Sequence, residues 1–523
     1  MAAKIEDIGL LLVHGIGEQK RLEHLRCTAG DIASYVAETP NLHRLSVNDV
    51  SDSEGLIVID VQFADDGGTE RHVRLNCREV WWADLGASGG LGAQVLFWFW
   101  GLGQWAAEVK FIGKSLSNTT ELMYVPHFKG DTPGKPPGYR RQWLARIILY
   151  FAGVLALLTL FTWSLVKRIV TFVAGKIPDT SIIFLFLGDV KAYQQPGGPG
   201  RGTPEDPNMP RRATIRRRMV TQMIDMGANR YDRWYILAHS LGSVLAFNGL
   251  QETELALPNY LEKDQWTRLS RDFKTTNPFK PPKAKPSTTD MMPRRPSWLS
   301  DRDGISREAL FEAFRGLVTY GSPLDKFAAL WPRMVCVNKQ KEVFHPGCEW
   351  LNLYDPTDPV GASLNAFGSR TTKGSKVSLV PRNFGCRSSK AFLLSHIRYL
   401  NPRKRRKHPM AEALVNALLR SERLADAEDK VANSKTGNAS RFLLAFLEVV
   451  ALFALLTLAA AALIVFGKDV LLGSYPACTG DWRSTACVGT MSFVAVRVLG
   501  GALIAVLVAG VLRIGYDWWF KDK

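Results

Sequence analysis

The sequence predicts an α/β protein, a mostly parallel sheet covered by helices and joined to transmembrane helical segments. Three observations predict it. Short apolar runs of strand length alternate with segments of helical spacing, the pattern of a sheet covered on both faces. One such run, 234–238, leads into a turn of small residues around Ser240 and then into a helical stretch. Several much longer apolar stretches interrupt or follow the alternation.

Taken in order, residues 9–13 form a short continuous apolar run, as in a parallel strand buried on both faces. Residues 56–63 are apolar and β-branched, 78–85 (REVWWADL) read as a further strand, and 182–187 (IIFLFL) as another. Helical spacing runs through 212–227, and strands follow at 234–238, 317–320 and 350–354. Segments 194–210 and 273–296 are rich in Pro with Gly or basic residues; they read as solvated insertions that could also overhang a site. Residues 411–435 read as an amphipathic, charged linking helix. No internal repeat is present.

The long apolar stretches have the length of membrane spans. Residues 442–466 carry one charge, Glu448, and 491–512 carry only Arg497; each can cross a hydrocarbon core of about 30 Å. Trp518 and Trp519 then fall where an interfacial aromatic belt would lie. Segment 143–165 is similar and has basic flanks, whereas 91–107 is shorter, Gly-rich and equally readable as interfacial or re-entrant. Strands 9–13 and 234–238 belong to one sheet, so the block between them crosses an even number of times or not at all. Six Lys and Arg residues in 108–142 resist translocation, which favours a hairpin that dips in without crossing. The basic run 403–407 and Lys521 and Lys523 place the sheet domain in the cytoplasm. Cys478 and Cys487 then lie outside, either joined as a disulfide or unpaired. The expected division is residues 1–85 and 179–401 for the sheet domain, 86–178 for a membrane-associated insertion, 402–440 for a basic linker and helix, and 441–523 for a C-terminal transmembrane hairpin. The expected location is integral and multi-pass.

Lys and Arg (66) outnumber Asp and Glu (49), for a net charge of +17. The basic runs lie beside or between apolar segments and no nucleic-acid module is visible, so the charge points to a bilayer face and not to nucleic acid. Seven cysteines occur without a CxxC pair, which indicates neither a zinc site nor a disulfide framework. The N-terminal apolar run is too short for a signal peptide.

Chemistry concentrates in four places. Residues 235–243 (YILAHSLGS) put Ser240 on a sharp strand-to-helix turn, where Ala238 and Gly242 must be small to let neighbouring elements approach. Residues 10–17 (LLLVHGIG) end a buried strand in a loop able to aim a backbone N–H at a developing oxyanion; Ile16 is the expected donor, with the N–H of Leu241 as the second. No GK[ST] or GxGxxG follows, so a phosphate cradle fits poorly. Residues 350–360 (WLNLYDPTDPV) end a strand in a turn carrying Asp355 and Asp358, either of which could orient an imidazole; Asp358 is preferred because its Asp-Pro-Val step resembles the acid turn of many lipases. His396 lies downstream in 394–399 (LSHIRY), giving the order Ser240, Asp358, His396. His14 and His239 read as structural.

On these residues the chain resembles the α/β-hydrolase superfamily, its lipase-like members in particular. HGIG, AHSLGS, NLYDPTDPV and the later HxxY are similar at motif level to intracellular phospholipase A1-type proteins of the DDHD group, as is 186–190 (FLGDV) with Tyr193. The likeness spans roughly residues 9–85 and 180–400, with Ala238 in place of the usual Gly. It implies a serine hydrolase in which His396 deprotonates Ser240, Asp358 holds the imidazole, and an acyl-enzyme is released by water. The implied substrate is a carboxylic ester, a lipid or other hydrophobic ester, met at a bilayer. No cofactor and no metal is expected. A transacylase or thioesterase using the same triad, or a non-catalytic membrane scaffold, are the alternatives.

Overall fold

The structure, a computed structural model, describes residues 5–15, 20–38, 42–51, 55–64, 68–85, 193, 211–276, 295–325, 327, 335, 348–355, 358, 360–361, 363–364, 367, 381–385, 396, 399 and 409–419. All of them lie in a compact unit made of residues 1–146 and 180–438; a second unit, 147–179 with 439–523, lies outside the described residues.

The first strand, β1 (Ile5–Val13), is buried at every position from Ile8 onward. Successive side chains of a strand point to opposite faces. Ile8, Leu10 and Leu12 accordingly enter one hydrophobic cluster, and Leu11 and Val13 enter the other. Such a strand needs cover on both sides. Helix α1 (Glu23–Glu38) covers one face through Leu25, Ala29, Ile32 and Val36, residues spaced three or four apart on a single stripe.

The chain then runs through β2 (Leu42–Ser51), β3 (Leu56–Ala64) and β4 (Glu70–Val80). Helix α2 (Arg211–Ala228) follows, then β5 (Arg233–His239) and α3 (Leu241–Leu250). A short helix α4 (Lys263–Arg268) precedes β6 (Lys274–Thr275) and β7 (Gly304–Ile305), which pair as a separate ribbon. Helix α5 (Arg307–Phe311), β8 (Phe314–Tyr320), β9 (Glu349–Tyr354), β10 (Pro381–Gly385) and α6 (Pro409–Leu419) complete the order. Helices α2 and α3 cover the second face through Ile215, Met219, Met223, Val244 and Leu245.

The main sheet has eight strands in the order β10-β9-β8-β5-β1-β4-β3-β2. Pairing is parallel from β10 through β4 and antiparallel where β3 meets β4 and β2. The chain thus starts at the centre, travels to one edge, returns beside β1, and then builds outward on the other side. The connections leaving β1 and β5 go to α1 on one face and α3 on the other. Their carboxyl ends therefore flank the kind of switch point at which open α/β sheets form a crevice.

Several expectations need correction. The expected strand at 78–85 stops at Val80. Trp82 turns away because His14 claims both of its N–H groups. The backbone amide donates to His14 Nε2 at 3.0 Å and the indole to the His14 carbonyl at 3.2 Å. The linking helix expected at 411–435 is described only over Pro409–Leu419 and is no free linker there. Ala411, Leu414, Val415, Leu418 and Leu419 are buried against the same cluster as α1. Residues 274–275, expected in a loop, form β6.

The joined expectation of a sheet domain with transmembrane segments, and with it the integral multi-pass location, is corrected: no helix among the described residues is long and apolar enough to cross a membrane. The longest, α2, has 18 residues but carries five arginines and an aspartate and is consumed by packing on the sheet. The stretches 91–107, 143–165, 442–466 and 491–512, the strand expected at 182–187, the loop 194–210, and Cys478 and Cys487 lie outside the described residues.

Candidate active site

The nucleophile candidate follows from local geometry. Strand β5 ends at His239, and helix α3 begins at Leu241, leaving one residue to reverse direction. Ser240 makes that reversal with φ 51° and ψ −127°, a region costly for any residue with a side chain. The turn is held by the Ser240 N–H, which donates to the Tyr320 carbonyl at 3.0 Å. Behind it, the Ser243 hydroxyl donates to the Ser240 carbonyl at 2.6 Å and accepts from Ser322 at 2.7 Å. Gly242 has no room for a side chain, since a Cβ there would lie 2.5 Å from the carbonyl oxygens of both Val13 and His14. The end of β1 is therefore pressed against the start of α3, which explains why sequence demanded a small residue at this position.

Three distant residues converge on the turn. His396 Nε2 lies 2.9 Å from Ser240 Oγ, and His396 Nδ1 lies 2.9 Å from Asp358 Oδ2. The carboxylate can only accept, so the imidazole carries its hydrogen on Nδ1 and presents a lone pair at Nε2 to the serine hydroxyl. Of the two aspartates in the 350–360 turn, Asp358 makes this contact. Its other oxygen accepts from the Val360 amide at 2.7 Å. Burial pushes the Asp358 carboxyl up, but the hydrogen bonds from His396, Tyr399 and Val360 outweigh it and hold the group at about 2. Asp358 is thus ionised across the working pH range. Ser240, Asp358 and His396 are all buried.

Asp355 contributes through its backbone: its N–H donates to the Tyr399 hydroxyl at 3.0 Å. Leu241, the second expected oxyanion donor, is the first residue of α3, and the leading N–H groups of a helix have no acceptor within it. Ile16, the first expected donor, lies outside the described residues.

His14 and His239, read from sequence as structural, pack around the site. His239 Nε2–H donates to the His396 carbonyl at 3.0 Å, and its ring stacks on Tyr320 at 4.7 Å. Burial, and then the neighbouring His396, drive its pKa down to about 3, so it stays neutral. His14 is likewise held neutral, at about 4, by burial. Its Nδ1–H donates to the Gly15 carbonyl at 2.6 Å while its ring stacks on Trp82 at 4.9 Å, fastening β1 to the end of β4. Tyr193 is buried in the core, where Asn248 Nδ2 donates to its hydroxyl at 3.4 Å. In sequence, Tyr193 is marked only by the 186–190 likeness and Tyr399 only by the HxxY interval, and neither signal gives a contact.

A hydroxyl, an imidazole and a buried carboxylate in one hydrogen-bonded line, at the carboxyl end of a parallel sheet, have the geometry of a nucleophile–base–acid arrangement. Comparison of the chain with protein-family models, with curated proteins and with solved structures found no match in any of the three.

Proposed function

We propose that this protein is a serine hydrolase that cleaves carboxylic esters through an acyl-enzyme. The observation that carries the reading is the unbroken line Ser240 Oγ–His396–Asp358, with both links at 2.9 Å. As Ser240 attacks the ester carbonyl, its proton passes to His396 Nε2. Asp358 stabilises the resulting imidazolium through Nδ1–H, and the proton is returned to the leaving alcohol. Water then enters, is deprotonated by the same nitrogen and releases the acid. The Leu241 N–H, at the positive end of α3, supports the developing oxyanion. The motif-level resemblance to lipase-like serine hydrolases favours a lipid or other hydrophobic ester as substrate.

The test is labelling by a fluorophosphonate, which phosphonylates an activated serine. Wild-type protein is expected to label, and Ser240→Ala to lose labelling together with at least about a 10⁴-fold loss of ester hydrolysis. Absence of wild-type labelling in correctly folded protein, or labelling that survives in Ser240→Ala, overturns the reading. A series of nitrophenyl esters of increasing acyl length tests the substrate class, with kcat/KM expected to rise with chain length.

A further inference from the structure

We propose that Tyr399 is a positioning residue of the hydrolytic machinery, a third donor that holds Asp358 in place and in charge for its work on His396. The inference rests on the serine-hydrolase reading above and extends it to a residue that touches neither the ester nor the nucleophile.

The geometry assigns the direction of each bond. The Tyr399 oxygen lies 2.6 Å from Asp358 Oδ2 and 3.0 Å from the Asp355 amide nitrogen. A phenol has one hydrogen, and the amide can only donate, so the hydroxyl accepts from Asp355 and gives its hydrogen to Asp358. Oδ2 therefore receives two donors, the Tyr399 hydroxyl and His396 Nδ1–H, while Oδ1 receives the Val360 amide. The short phenol contact is of the charge-assisted kind, among the stronger hydrogen bonds.

The ring is also locked. Tyr399 is 2% exposed, and its ring meets the His396 imidazole edge-on with centroids 6.5 Å apart. It packs beside Tyr320 and His239 at 6.0 Å and 6.4 Å. The turn after β8 makes room for both rings. Gly321 has φ +58°, and a Cβ there would lie 3.0 Å from the tyrosine ring and 3.1 Å from the imidazole. Tyr399 stands three residues after His396, so one segment delivers the base and the clamp on its acid together. Burial, and then the charge of Asp358, drive the phenol pKa well up, so it keeps the hydrogen it donates.

Among the described residues, the titratable groups facing Asp358 are His396, Tyr399 and His239. Removing the phenol hydrogen leaves Oδ2 with a single donor, His396 Nδ1–H. More of the carboxylate's charge is then left to His396 Nδ1–H, which favours the imidazolium form, so Nε2 is blocked by a proton at higher pH. The signature is an acid limb of the kcat profile that moves upward.

Tyr399→Phe, which keeps the ring, tests this against wild type. The expected result is about a tenfold fall in kcat with KM unchanged and an acid limb raised by about one pH unit. Replacing Tyr399 alone by 3,5-difluorotyrosine keeps the fold and strengthens the donor, so the acid limb is expected to move down. Unchanged acid limbs in both proteins, with normal kcat, overturn the inference. Fluorophosphonate labelling of wild type separates the two claims. If wild type labels at Ser240 and the Tyr399 variants behave as wild type, this inference fails alone; if wild type does not label, the hydrolase reading itself fails.

Discussion

Helix α3 has a buried polar cluster at each end, and the two behave as opposites. At its N-terminal end stand Ser240, His396, Asp358 and Tyr399. Just past its C-terminal end Arg216 Nη2 meets Glu252 Oε1 at 2.5 Å, with side chains 5% and 0% exposed. Tyr260 donates to the same carboxylate oxygen at 2.8 Å, and Arg307 donates to the carbonyls of Glu252 and Leu250. Both clusters are dry, charged and densely bonded. The second joins a guanidinium to a carboxylate and ties α2, α3 and α5 together. The first places an imidazole between a carboxylate and a hydroxyl, on a serine at positive φ. The proposed reaction moves a proton through the first and makes no use of the second. Burial and charge are common to both clusters; a titratable group beside a serine on strained backbone belongs to the first alone, and the proposed hydrolysis requires it.

The sharpest way to break this contrast is Asp358→Asn. An amide in place of the carboxylate donates as well as accepts and no longer enforces Nδ1–H on His396, so kcat per folded molecule is expected to fall about 10³- to 10⁴-fold, far beyond what the accompanying drop in melting temperature accounts for. Steady-state kinetics beside a thermal melt checks both halves. Glu252→Gln should do the reverse. It strands a buried guanidinium at a cost of about 3–5 kcal/mol in denaturant unfolding, while kcat per folded molecule stays within about twofold. Activity lost in proportion to kcat, and not to the folded fraction, would remove the distinction.

The smallest expected effect is in the pH dependence of stability. His14 and His239 are held at about 4 and about 3 against an ordinary 6.5, so the unfolded chain binds more protons below 6.5. Stability is then complete above that pH and declines as the solution is acidified towards those lower values. Asp358 has a folded value of about 2 against an ordinary 3.8, so its contribution is present above 3.8 and lost as pH falls towards 2. Urea midpoints measured from pH 7 to pH 2 should decline in the first window in both wild type and Asp358→Asn, whereas the second window should be blunted in the variant.

What the sequence revealed follows from how local each constraint is. The turn at Ser240 imposes small residues two positions to either side, so Ala238 and Gly242 announced it within five residues. The buried strands β1, β5, β8 and β9 are apolar on both faces and could be read directly. Strands β2 and β10 could not. The sequence of β2 is LHRLSVNDVS, and β10 is PRNFG at the sheet edge, opening on a proline that an edge position tolerates. The apolar, aromatic pattern of 78–85 continued past Val80, and only the tertiary contact with His14 shows why Trp82 departs. The acid was legible as a pair, Asp355 and Asp358; choosing between them required knowing which one the folded chain brings to His396. The role of Tyr399 depends wholly on that same return.

The position of β1 has a consequence for how the molecule is assembled. It is the central strand, yet it precedes in the chain every strand it lies beside. Its N-terminal part is tied by the Asp7 amide to Asp232 across 225 residues of sequence. Until β5 exists, one long edge of this apolar strand has no neighbour, and an open edge invites pairing with another molecule. Refolding from denaturant is therefore a race between closing a long loop and edge-to-edge association, and dilution favours the loop.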